Sequence, residues 1–234
     1  TAISVKDLKT FFYTNNRCNK AVNGVCFDVK RGQTLCIVGE SGCGKSVTAS
    51  TIMQLLPRLS RIAEGSVTYS SAPGAVRIAQ LERNGPEMRR IRGSEIAMIF
   101  QDPMESLNAR HTVGEILEEP FLIHGIGNAQ TRRQSVSKLL DTVGLPARSA
   151  SRYPFEVSGG QRQRIGIARA IALKPALIIC DEPVSALDVS IQSQILNLLM
   201  DLQKEFNLAY LFIAHDLAVV KHISDRVAIM YLGK

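Results

Sequence analysis

The stretch Gly39-Glu40-Ser41-Gly42-Cys43-Gly44-Lys45-Ser46 follows a short apolar run, Thr34–Val38, and leads into residues 46–56, which have helical character and stop at Pro57. It fits the pattern G-x-x-x-x-G-K-[ST]. Glycines let a backbone wrap so that several N–H groups point inward at phosphate oxygens. The helix that follows adds its positive N-terminal end. In such a loop Lys45 reaches the β- and γ-phosphates, and the Ser46 hydroxyl can ligate Mg²⁺. Val47, next in the chain, is grouped with the loop. A chance glycine-rich turn is the competing reading. The strand before and the helix after are what a phosphate loop requires, and they favour it.

Working outward, strands and helices alternate through the middle and end of the chain, so the fold class is α/β. Residues 177–180 form an apolar run bounded by Pro175 and Pro183. Val189–Phe206 carries Ile191, Ile195, Leu198, Leu199, Leu202 and Phe206 at helical spacing, with Asp188 placed to cap it. Residues 209–214 and 227–231 read as two further buried strands. Apolar strands that do not alternate suit a parallel sheet covered on both faces. Residues 3–8, 25–29 and 65–69 alternate more, as strands of an antiparallel sheet beside the parallel one. Residues 103–157 look helical and irregular, with polar turns near 125–130 and 145–151, and form a candidate inserted subdomain.

Two further motifs carry chemistry. The apolar run 177–180 ends in Asp181-Glu182. A carboxylate at the end of a buried strand can hold Mg²⁺, which places Asp181. Glu182, one residue on, can orient and deprotonate a water. Together with the phosphate loop this points to an ATPase or GTPase. No guanine-selecting N-K-x-D is present, so adenine is expected. Ser158-Gly159-Gly160-Gln161 offers a hydroxyl, glycine N–H groups and a helix start, a second anion site that one chain does not need for one nucleotide. An ordinary capped helix start is the rival reading.

The 234 residues are 45% hydrophobic and 21% charged, with a net charge of +7, which fits one soluble globular domain with an insertion. Basic residues are scattered, so charge alone does not argue for nucleic acid. Five cysteines, none in a C-x-x-C pair, argue against a zinc site or disulfide framework and for a reducing compartment. No stretch approaches 18 apolar residues, so no membrane-spanning helix is expected. The chain starts without Met and stops at Gly233-Lys234, as a piece of a longer polypeptide would.

At this point the sequence resembles the nucleotide-binding subunits of ABC transporters over essentially its whole length. The family's motifs stand in order: phosphate loop 39–46, Q-loop glutamine Gln101, signature 157–161, Asp181-Glu182 ending the Walker B strand, D-loop Ser185-Ala186-Leu187-Asp188, and switch histidine His215. Residues 101–110, Tyr153-Pro154-Phe155-Glu156 and 182–190 are similar to the oligopeptide, dipeptide and nickel importer subfamily. Departures are Val157 where the family has Leu, and Glu105 and Ala109 where the subfamily often has Thr and Pro.

The resemblance implies a P-loop NTPase, RecA-like core of residues 1–102 and 158–234 that includes an antiparallel β subdomain, with a helical subdomain at 103–157. It implies two cassettes, identical or paralogous, sandwiching two ATPs head to tail. Glu182 would be the general base, and His215 would hold the γ-phosphate and water in line. Gln101 would touch Mg²⁺ or the water, and Ser158 and Gly160 would serve the partner's γ-phosphate. Asp188 would couple the sites. An aromatic should stack on adenine; Leu8-x-x-x-Phe12 points to Phe12, with Phe11 and Tyr13 open. Transmembrane permease subunits and, indirectly, a solute-binding protein are implied partners, with the chain on the cytoplasmic face of the membrane and no nucleic acid. The alternative is a related cassette acting on nucleic acid or the ribosome. The subfamily's C-terminal extension is expected to be absent.

Overall fold

A computed structural model describes residues 1–14, 17–71 and 74–234. Five strands form the parallel sheet: β3 (Thr34–Val38), β6 (Ile96–Ile99), β7 (Leu177–Asp181), β8 (Ala209–Ile213) and β9 (Arg226–Ile229), in the order β6-β7-β8-β3-β9. Side chains alternate between two buried layers. Cys36, Ile178, Cys180, Tyr210 and Phe212 face the helices α6 (Gly159–Ile171) and α7 (Val189–Phe206). Leu35, Ile37, Ile179, Leu211 and Ile213 face the other way, toward α1 (Lys45–Ile52) and the second sheet. Covering both faces is why these strands read as unbroken apolar runs.

The second sheet is antiparallel, in the order β2-β1-β4-β5: β1 (Ile3–Thr14), β2 (Arg17–Val29), β4 (Ser60–Ser71) and β5 (Gly74–Arg77). Its alternating strands bury Ile3, Val5 and Leu8 on one face. The strands run longer than the alternating cores seen in the sequence. Between β6 and α6 lie α3 (Pro103–Ser106), α4 (Val113–Ile123) and α5 (Ala129–Thr142). Capping boxes start α4 and α5, formed by Thr112 with Glu115 and by Asn128 with Thr131. Val113, Ile116, Leu117 and Leu140 join the cluster around α6, so this segment shares apolar packing with the sheet. Finally, α2 (Pro86–Ser94) precedes β6 and α8 (Leu217–Ile223) precedes β9.

Three details depart from the sequence reading. Residues 227–231 read as a buried strand, yet β9 is the sheet edge, and Val227 and Ile229 are 50% and 80% exposed. An edge strand has a neighbour on one side only, here β3. The first helix spans Lys45–Ile52, shorter than 46–56, because Gln54 takes a left-handed φ of 50° and its side-chain amide donates to the Ile78 and Leu81 carbonyls. Asp188 stands at the N-cap of α7, but its carboxylate makes no cap hydrogen bond.

Candidate active site

The phosphate loop joins the carboxyl end of β3 to α1, where parallel α/β sheets bind ligands. Gly44 has φ 109°, and a Cβ there would lie 2.4 Å from the Ala21 carbonyl oxygen. At Gly39 it would lie 2.2 Å from the Met230 carbonyl oxygen. These glycines are needed for close approach as well as for conformation. The loop is braced from behind by residues 230–233: Met230 N–H donates to Val38 O (2.7 Å) and Gly233 N–H to Cys43 O (3.0 Å). No local pattern in the sequence marks Met230 or Gly233 for this role.

Lys45 is buried, and its Nζ donates to the carbonyls of Gly39 (2.8 Å) and Glu40 (2.9 Å). Cys43 is buried with its sulfur 3.9 Å from that nitrogen. Glu40, Ser41, Gly42 and Ser46 are exposed, and Val47 is half-buried. The Ser46 hydroxyl donates to Asp181 Oδ1 at 2.9 Å. Burial pushes the Asp181 carboxyl above its usual range; the Ser46 hydrogen bond opposes this, the neighbouring Glu182 charge adds to it, and the Lys45 charge opposes it. A desolvated carboxylate beside a hydroxyl is a hard oxygen pair suited to Mg²⁺. Among the described residues no group of three or more His, Cys, Asp or Glu could hold a metal, so such an ion would take its other ligands from phosphate and water.

Glu182, at the end of β7, is where the site converges. Gln101 Nε2 donates to Glu182 Oε2 at 3.1 Å, and His215 Nδ1 lies 3.1 Å from the same oxygen. Gln101 follows β6 and His215 follows β8, so three neighbouring strands deliver the trio. Asp216 caps α8 by accepting from Ala218 N–H at 2.7 Å, which fixes the turn that carries His215. The structure thus places Gln101 against Glu182; it gives Gln101 no hydrogen bond to Ser46 or Asp181 among those described.

On β1, Phe12 is half-buried between Asn19 and Ser60 on the neighbouring strands. Phe11 lies beneath Lys20 Nζ, 5.6 Å from the ring centroid, and Tyr13 beneath Arg61 at 4.5 Å. Strand alternation gives Phe12 the face of Thr10, whose hydroxyl is 3.0 Å from that of Thr51 on α1.

Ser158 caps α6 in a capping box with Gln161, and Val157 is buried. A Cβ on Gly160 would meet Ile191 Cγ2 of α7 at 2.7 Å; Gly159 has more room. Gly160 is therefore required by helix packing whatever else it does. That requirement spans two elements and leaves no local signature. Asp188 is exposed.

A glycine loop for phosphate, a hydroxyl–carboxylate pair for a hard cation and a glutamate poised for water together make a nucleoside triphosphatase site. The ABC transporter family matches residues 22–185. The chain is 49% identical over 241 residues to the oligopeptide transport ATP-binding protein AppF of Bacillus subtilis, covering 100% of this chain and 70% of the relative. It is 51% identical over 230 residues to the oligopeptide transport ATP-binding protein OppF of Escherichia coli, covering 98% and 66%. Among solved structures, a dimeric ATP-binding cassette, MJ0796, in a post-hydrolysis state with ADP and Pi, superposes with a TM-score of 0.85 at 28% identity over 99% of this chain and 95% of that one. The chain belongs to the ABC transporter family and is an ATP-binding, ATP-hydrolysing cassette. These relatives are transport proteins by name, which leaves the nucleic-acid alternative without support.

Proposed function

We propose that this chain energises an importer of peptide-like or related small solutes. It would do so as one of two cassettes, identical or paralogous, pairing head to tail on the cytoplasmic face of permease subunits that receive cargo from a solute-binding protein. The observation that carries the catalytic part is the meeting of Gln101 and His215 on one oxygen of Glu182, one residue from the Ser46–Asp181 pair. The peptide-transport names of AppF and OppF support the cargo class. No helix among the described residues is long and apolar enough to cross a membrane, in keeping with a peripheral subunit.

In this reading the N–H groups of residues 39–46 and the Lys45 ammonium hold the ATP phosphates, while Val47 supports the loop by packing against the apolar cluster. Phe12 stacks on adenine, since Phe11 and Tyr13 already lie beneath cations. Ser46 and Asp181, with Gln101 nearby, would hold Mg²⁺, which supplies neutralisation of phosphate charge. Glu182 takes a proton from water as its oxygen attacks the γ-phosphorus, and the bond to the β-phosphate oxygen breaks to leave ADP. Gln101 and His215 fix the accepting carboxylate and its water. Ser158, Gly159, Gly160 and Gln161 offer the other cassette's γ-phosphate a helix N-terminus, and Asp188 faces the same junction.

We assign residues 1–102 and 158–234 to the ATP-binding core and 103–157 to an inserted helical subdomain. A groove of about 810 Å³ lies between them, lined by Leu55, Phe100 and Ile123 and also by Gln101 and Asp181. It offers a permease segment a surface continuous with the site. The test is ATP turnover and ATP-dependent dimerisation of the chain beside Glu182→Gln. The expected outcome is a loss of turnover of roughly a hundredfold or more with a stable ATP-bound dimer. A Glu182→Gln variant that still turns over ATP at the original rate removes Glu182 from the role of base.

A further inference from the structure

Glu182 has φ 47°, the left-handed region that side chains with a Cβ rarely occupy. Its successor, Pro183, adds a second bias, since a residue before proline is pushed toward extended backbone with negative φ. Two local preferences therefore oppose the conformation that aims this side chain at Gln101 and His215. Such a conformation persists only where surrounding bonds over-determine it.

Those bonds are visible. The Glu182 N–H donates to Ile213 O of β8 at 3.1 Å. The Glu182 carbonyl accepts twice from one residue, from Ser185 N–H at 3.2 Å and from the Ser185 hydroxyl at 3.0 Å. The first of these closes a four-residue turn with Pro183 at its second position. The second is a side-chain bond that alanine could not make. Beyond this turn, Gln192 Nε2 donates to Leu187 O at 2.9 Å and ties the loop to α7.

The structure assigns Ser185 as the positioning residue of the base: its hydroxyl holds the Glu182 backbone in the left-handed region from which the carboxylate meets Gln101 and His215. This deepens the reading of Glu182 as base and rests on it. Ser185 touches no reacting atom; it acts through the Glu182 carbonyl.

The experiment uses the chain assembled with its native transporter partners. Ser185→Ala should lower kcat by about tenfold, the scale of one hydrogen bond, with KM for ATP unchanged and the melting temperature lowered by no more than about 2–4 °C. Ser185→Thr should restore kcat, because it keeps the hydroxyl that bonds the Glu182 carbonyl. The same substitution is then placed in the Glu182→Gln background. There Ser185→Ala should leave the ATP-bound dimer intact. Unchanged kcat in Ser185→Ala, or a threonine variant as slow as alanine, overturns the assignment. Loss of the dimer in the double variant also overturns it, by making Ser185 an interface residue. Turnover retained by Glu182→Gln alone is a different failure, that of the base itself.

Discussion

A methyl group added at Gly44 would meet the Ala21 carbonyl oxygen at 2.4 Å and Met230 Cε at 2.8 Å, at a φ of 109°. Two residues earlier, Gly42 has φ 79° and nothing within 4 Å of an added Cβ. Gly44 is a fixed glycine of the motif and Gly42 fills one of its variable positions, and the two differ in physics as well. Gly44→Ala must displace the strand behind the loop and should abolish ATP binding. Gly42→Ala meets only the conformational cost of a left-handed residue, about 1–2 kcal/mol, and should retain weakened binding. Titration with a fluorescent ATP analogue separates them; equal losses in both would mean that conformation, not space, governs the loop. The three residues that meet at Glu182 were each visible in the sequence, but their meeting was not. Gln101 and Glu182 stand 81 positions apart, and only the topology brings their side chains to 3.1 Å. The period of two could not choose among Phe11, Phe12 and Tyr13. The cations over the first and third are what distinguish them.

At the scale of elements, the junction of α6 and α7 sets packing against the phosphate recognition proposed for the start of α6. Gly160 faces Ile191 so closely that Gly160→Ala forces an overpacked contact, which should cost about 1–3 kcal/mol in thermal or denaturant unfolding. Ile191→Ala opens space and should restore most of that stability in the double variant. ATPase activity should stay low in the double variant, because the added methyl still stands at the helix start proposed to meet the partner's γ-phosphate. Recovery of both together would make Gly160 a packing residue alone. The sequence showed the helix start through Ser158 and Gln161, but not the helix that crosses it. The same limit hid the exposure of β9. Its composition is that of a buried strand, and composition does not say which strand lies at a sheet edge. Conversely, β3, β7 and α7 were legible almost to the residue, because strands covered on both faces and a long amphipathic helix carry their surroundings in their own pattern.

The molecule as a whole is organised around β3, which carries the phosphate loop and lies between β8 and β9. Leu35 pairs with Leu211 on one side and Arg226 on the other. For a chain emerging from the ribosome at about 5–20 residues per second, β3 waits roughly ten to forty seconds for its first neighbour. During that interval Thr34–Val38 is an apolar strand with two bare edges, a segment that holding chaperones would be expected to cover. Refolding from denaturant should correspondingly be slow, on the order of seconds. A chain cut before β8 should bind no ATP, although its phosphate loop, Lys45 and Ser46 are all present. The nucleotide site is written in residues 39–46 and exists only once residues 209–229, some 170 positions further along, have been made.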